Sequence, residues 1–201
     1  ELAVLTELAS AFHGYSQSYP SGSGYAAVDK VIAVGDKVQN LKPGDIVFNT
    51  GNHISHHRFD FSKNPLVKMP SNVTVEEAPF ARMCGVGMAT LRTTWARPGD
   101  IVAVFGLGLV GNLAAQLFQT SGYVVIGIDI DAGRRELAAR CGIRHVLGSG
   151  SGLKEEMKSA VGEDSCHLII ECSGSGKAML DAMEIVKIGG EIVQIAVTWQ
   201  K

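Results

Sequence analysis

Past Pro98 the chain alternates between two hydrophobic rhythms. Short apolar runs at residues 101–105, 124–129, 144–147, 167–171 and 191–196 read as buried strands. Helical patterns at 109–120, 132–140, 153–161 and 177–187 separate them, with Gly122, Gly142, Gly162 and Gly189 near their ends as candidate stops. In the first of these helices Val110, Leu113, Ala114 and Leu117 share one face, as in a helix lying on a sheet. Strands joined by helical crossovers predict an α/β fold with a parallel, doubly wound sheet. Its ligand crevice would lie beyond the carboxyl ends of the strands.

The half before Pro98 has a different texture. Two β-branched runs, residues 28–35 and 45–48, flank the turn signal Leu41-Lys-Pro-Gly-Asp45. Residues 51–64 are polar and histidine-rich, which predicts a loop, and residues 67–70 read as another short strand. Thr74 and Glu77 have capping-box spacing and predict a helix running through residues 78–94. Pro98-Gly-Asp100 then ends that helical stretch.

The most informative segment joins the two rhythms. Ile101-Val-Ala-Val-Phe-Gly106-Leu-Gly108-Leu-Val-Gly111 reads as strand, glycine-rich turn and first helical turn, and Asp129 ends the next strand. Gly106 permits the tight turn, Gly108 lets a pyrophosphate approach the backbone, and Gly111 lets helix and strand pack closely. The free N–H groups at the helix start, on Leu109, Val110 and Gly111, then face the phosphates. Asp129, 18 residues beyond Gly111, is placed to accept hydrogen bonds from ribose hydroxyls. These features together predict a Rossmann-type dinucleotide site. A glycine-rich turn that binds nothing is the alternative reading.

Composition adds limits. Hydrophobic residues make up 46% of the 201 and charged residues 19%, and the net charge is −2. That balance gives no electrostatic reason to expect nucleic acid or an anionic membrane as a partner. The apolar window 101–118 could be mistaken for a membrane span, but its three motif glycines, Asn112 and Gln116 favour a strand feeding a buried helix. Four cysteines, Cys84, Cys141, Cys166 and Cys172, form no CxxC pair, and no basic leader opens the sequence. A reduced, cytoplasmic protein is the expectation.

The order of these features resembles the medium-chain dehydrogenase/reductase superfamily. The resemblance rests on Val34-Gly35 and Val38, Pro98-Gly-Asp100, Gly106-Leu-Gly-Leu-Val-Gly111, Asp129 with Arg134, and Glu171-Cys-Ser-Gly174. It implies part of a small β-rich, GroES-like substrate domain with a linking helix over residues 1–94. A Rossmann domain over 95–201 would follow, incomplete at its C-terminal end. Arg134, five positions after Asp129, matches a basic residue that assists the ribose carboxylate. By the same resemblance, the Cys172-Ser173-Gly174 turn passes beneath the adenosine-side ribose. Asp129 favours NAD over NADP, because a carboxylate there would repel a 2′-phosphate. A homodimer would form through the strand after residues 191–196. Residues 1–24 match the superfamily poorly, so the chain is expected to be a fragment.

Zinc is not expected. Cys84 falls where one catalytic ligand of zinc-holding members would be, but no other cysteine precedes it and no His-Glu pair occurs. Gly22-Ser-Gly-Tyr25 stands where Gly-His-Glu would be. His53, His56 and His57 read as a solvated loop rather than a metal cluster. The implied activity is hydride transfer between a nicotinamide cofactor and a small alcohol or carbonyl substrate. No catalytic acid or base can be assigned; Tyr25, His53 and Arg82 are candidates. The competing readings are a zinc-less quinone or enoyl reductase and a catalytically silent dinucleotide-binding protein.

Overall fold

The computed structural model describes residues 23–60 and 66–196. The chain divides into two compact units between Arg82 and Met83, inside the helix expected to link the domains.

The first unit contains a three-stranded antiparallel sheet of β1 (Ala27–Lys30), β2 (Ile46–Asn49) and β3 (Leu66–Lys68), in that order. The strand expected over 28–35 is shorter than its apolar run. Past Lys30 the pairing ends in a bulge at the Lys42–Asp45 turn, with Val31 N–H donating to the Asp45 carbonyl and Gly44 N–H to the Val31 carbonyl. Asp45 fixes that turn, accepting from Lys42 N–H at 3.0 Å and pairing with Lys68 Nζ at 2.8 Å.

The predicted capping box forms. Thr74 N–H and Oγ both donate to Glu77 Oε2 at 2.9 Å, and Glu77 N–H donates back to Thr74 Oγ at 3.3 Å. It closes a turn rather than opening the helix directly, and α1 begins later, at Phe80–Thr93. Pro79 explains the delay, because it has no N–H with which to bond the carbonyl one turn back.

The second unit carries five parallel strands in the order β6-β5-β4-β7-β8: β4 (Ile101–Phe105), β5 (Val124–Ile128), β6 (His145–Leu147), β7 (Cys166–Glu171) and β8 (Val186–Gln194). Four helices connect them: α2 (Leu109–Thr120), α3 (Ala132–Arg140), α4 (Leu153–Val161) and α5 (Gly176–Ile185). This is the expected α/β doubly wound sheet, with a small antiparallel sheet before it in sequence.

All five residues of the central β4 are buried, and their alternation divides the core. Val102 and Val104 pack with Ala115, Phe118 and Ala138 on the α2/α3 face. Ile101, Ala103 and Phe105 pack with Leu153, Met157, Ala182 and Ile185 on the other. Each fully buried large side chain contributes on the order of 2–3 kcal/mol of transfer free energy, which anchors the strand ends that carry the site.

One expectation fails at the C-terminal edge. Gly189 does not stop a helix; α5 ends at Ile185 and the chain passes directly into β8. Gly189, at φ +78°, lies within β8, whose pairing with β7 shifts register between Cys166 and Leu168. The β-branched residues around the glycine pair are better placed in a bulged strand than in a helical turn. Among the described residues no helix is long and apolar enough to cross a membrane.

Candidate functional site

The site forms at the carboxyl end of β4. Gly106 has φ +87°, a backbone conformation open to glycine but strained for other residues. A Cβ there would come within 2.7–2.9 Å of Ser173 N, Cα and Cβ. Gly111 is crowded from inside: its Cβ would overlap the Gly106 carbonyl oxygen and lie 3.2 Å from Cys172 Cβ. Gly108 differs from both. It has the ordinary values φ −65° and ψ −170°, and a Cβ there would meet nothing within 4 Å.

Helix α2 therefore starts behind an open position. Gly108 is its N-cap with no side-chain cap bond, and its first turn holds no acidic residue. The amides of Leu109, Val110 and Gly111 lie in that first turn, where an α-helix provides no internal partner. Those amides and the helix dipole suit an anion, and the space over Gly108 admits one. The arrangement fits the diphosphate of a dinucleotide.

Asp129 follows β5 and is 5% exposed. Its Oδ2 accepts from Leu107 N–H at 2.7 Å and its Oδ1 from Asp131 N–H at 2.8 Å. The sequence motif gave no sign of this second duty: the carboxylate holds the glycine turn by its backbone. Each oxygen retains acceptor capacity for a hydroxyl donor.

Arg134 Nη1 stands 3.8 Å from Asp129 Oδ2, with a largely exposed side chain. Arg135, its neighbour, instead donates from Nη1 to the carbonyls of Asp129 and Ile130 at 2.8 and 2.9 Å. Of the two arginines, Arg134 is the one beside the carboxylate.

The Cys172-Ser173-Gly174 turn, expected at this site, does lie against Gly106 and Gly111. Burial, aided by the neighbouring Glu171 charge, pushes the Cys172 thiol up to about 12. It is a protonated packing group at neutral pH. Glu171, which opens the Glu171-Cys-Ser-Gly174 segment, is fully buried. Its Oε1 accepts from Ser173 N–H at 2.7 Å, from Ser173 Oγ–H and from Gly174 N–H at 3.1 Å. An acidic residue ending a strand, followed by a small residue and a left-handed glycine, was the signal available in the sequence.

The first unit is a separate matter. Its histidines are not one solvated group, because the His57 side chain is only 9% exposed. The ring bridges Asp29 Oδ2 and the Asn52 carbonyl, both at 2.7 Å, and so ties the 51–60 loop to β1. The buried Asn49 joins the same network by donating to Asp29 Oδ2 at 2.8 Å. His53 packs against Gly24, and the Arg82 guanidinium lies 5.4 Å from the centre of the Tyr25 ring.

Among the described residues no three His, Cys, Asp or Glu side chains are grouped to hold a metal ion. Cys84, half-buried on α1, has no such partners. The described residues do not fit a catalytic zinc.

Residues 110–201 match the family described as zinc-binding dehydrogenase. The chain is 31% identical over 183 residues to D-guloside 3-dehydrogenase of Shigella flexneri, covering 86% of this chain and 50% of that protein. These matches agree with the resemblance to the medium-chain dehydrogenase/reductase superfamily that the motifs carry. Two solved structures align with the chain over most of its length. Alcohol dehydrogenase TADH from Thermus sp. ATN1 matches with a TM-score of 0.70 and 25% identity, over 88% of this chain and 62% of that one. Escherichia coli quinone oxidoreductase complexed with NADPH matches in fold with a TM-score of 0.74 and 22% identity, over 90% and 57%. The chain thus spans about half the length of the relatives it matches. The family description mentions zinc, but the matched segment begins at residue 110, beyond Cys84.

Proposed function

We propose that the chain carries the nucleotide-binding part, and some of the substrate-binding part, of an NAD(P)-dependent oxidoreductase acting on an alcohol or carbonyl. In this reading residues 1–94 belong to the substrate domain and 95–201 bind the dinucleotide. The observation that supports it most is the open Gly108 position before an uncapped helix, beside a buried carboxylate.

When bound, a nicotinamide dinucleotide supplies the hydride acceptor or donor. The chain's own groups do the holding. Amides of Leu109, Val110 and Gly111 donate to the diphosphate, with Gly106 and Gly108 leaving room for it. Asp129 accepts from ribose hydroxyls, Arg134 flanks it, and the turn of Cys172, Ser173 and Gly174 supports the adenosine side. A 2′-phosphate would face the Asp129 charge, so NAD is preferred to NADP. Four free cysteines suit a reduced, cytoplasmic setting.

Calorimetric titration with NADH and NADPH tests the reading, with Asp129→Asn beside the unsubstituted protein. NADH should bind more tightly, and Asp129→Asn should weaken it about tenfold, the order expected for hydrogen bonds to a charged acceptor. NADPH should lose less. Saturation by neither dinucleotide rejects the function, and equal losses for both reject the ribose role of Asp129.

A further inference from the structure

Two buried carboxylates stand on either side of the exit from β4. Ile128, just before Asp129, is paired with Phe105 from one side, and Glu171 is paired with Phe105 from the other. Asp129 holds the glycine turn directly, through Leu107 N–H. Glu171 has no direct bond to that turn. Its donors, Ser173 N–H and Oγ–H and Gly174 N–H, all come from the two-residue stretch following Cys172.

Successive backbone amides of this kind, with Gly174 at φ +69°, form a concave anion cradle. Here the cradle is filled from within the chain. The turn so fixed is the one whose Ser173 backbone occupies the space beside Gly106, while the Gly106 carbonyl lies against Gly111 at the start of α2. The path from Glu171 to the α2 amides is therefore continuous: carboxylate, Ser173, Gly106, Gly111.

We propose that Glu171 is a positioning residue for dinucleotide binding, acting through the Ser173–Gly174 turn to fix the aim of the α2 amides. This rests on the dinucleotide reading above. Its length matters, because the carboxylate must reach past Cys172 to the amides. Its charge matters less, since a glutamine oxygen in the Oε1 position can accept the same bonds. Only the 3.2 Å contact from Gly174 N–H to Oε2 would be lost to an amide nitrogen.

Glu171→Gln and Glu171→Asp separate these properties. NADH affinity is measured by calorimetry, and backbone exchange at Ser173 and Gly174 by hydrogen–deuterium exchange. Glu171→Gln should stay within about threefold of the unsubstituted protein, whereas Glu171→Asp, one methylene short, should lose about tenfold, which is about 1.4 kcal/mol. Exchange at Ser173 and Gly174 should rise in Glu171→Asp alone. A folded Glu171→Asp that binds NADH normally overturns the proposal, as does a greater loss in Glu171→Gln than in Glu171→Asp. If Glu171→Asp does not fold, Ser173→Ala carries the test. It should weaken NADH by about two- to fivefold, the range for one neutral hydrogen bond, and unchanged affinity overturns the proposal. Absence of NADH binding by the unsubstituted protein overturns the function and this role together; normal binding confines any failure to Glu171.

Discussion

Gly108→Val and Gly111→Ala should damage different properties of this protein, although only two residues separate them. At Gly108 the backbone is one any residue adopts, and an added Cβ meets no protein atom within 4 Å. The cost to folding is that of a poor N-cap, about 1 kcal/mol. For a chain of this size that is a fall of about 2–4 °C in Tm. The side chain would fill the space in which a diphosphate reaches the α2 amides. Losing two charge-assisted bonds of about 1.5–3 kcal/mol each predicts at least about a 100-fold loss of NADH affinity.

Gly111→Ala places its methyl on the Gly106 carbonyl, 3.0 Å from the carbonyl carbon and 3.2 Å from Cys172 Cβ. Backbone lies on one side and the β7 turn on the other, so the helix start has to move. Overpacking of this kind costs about 3 kcal/mol, or about 6–12 °C in Tm. Thermal denaturation followed by circular dichroism reads the stability, and calorimetric titration reads the affinity. Unchanged NADH affinity in Gly108→Val would refute the assigned path of the diphosphate. An unchanged Tm in Gly111→Ala would refute the close approach of α2 to the turn.

Two further outcomes follow from the charges and thiols. The Lys68 hydrogen bond, helped by Lys42 N–H, holds the Asp45 carboxyl below its ordinary value of 3.8. The stabilisation is complete above that value and disappears as pH falls through the lowered native one. The stability gap between unsubstituted protein and Lys68→Met, measured by urea unfolding from pH 7 downward, should therefore narrow as the pH falls below 3.8; a gap that does not narrow contradicts the pairing. Burial pushes the Cys166 and Cys172 thiols up to about 12, whereas Cys141 is exposed. Iodoacetamide at about pH 8 should label Cys141 first and spare Cys166 and Cys172 in the folded protein, as read by peptide mass spectrometry. Rapid native labelling of Cys166 would contradict its burial.

The second unit was legible because its signals are local. Helices α2, α3 and α4 fall at the expected residues: α2 and α4 carry an apolar helical face, and a left-handed glycine follows all three, both being properties of short segments. Misreadings occur where a partner strand or a single missing atom decides. Strand β8 begins five residues before its expected start because pairing with β7 carries it through the Gly189 bulge. Helix α1 starts late for want of one N–H on Pro79. The same division holds at the site. Glycine spacing and Asp129 follow from the sequence, because the turn geometry demands them. His57 with Asp29, 28 residues apart, is a matter of tertiary reach. Glu171 bonds amides only two and three residues on, so there the sequence shows the acid and the small residues but not which way the carboxylate turns.

The balance of charge at the site also bears on how it would recognise a dinucleotide. Residues 106–111 contain no lysine or arginine, and the two acids beside the turn are buried. Arg134 is the cation beside Asp129, and its side chain is mostly in solvent. General electrostatic attraction is therefore a poor source of affinity here, and exposed charges are screened over about 8 Å at physiological salt. Both acids accept backbone N–H bonds from the turns they hold, Asp129 from Leu107 and Asp131, Glu171 from Ser173 and Gly174. Those bonds offset much of their field and fix the backbone in the same act. Affinity would then come from the direction of a few α2 amides, and a misaligned amide costs more than a lost surface charge. In the proposed reading, selectivity for a dinucleotide over simple anions would follow, because such a ligand meets the amides with its diphosphate and Asp129 with its ribose hydroxyls.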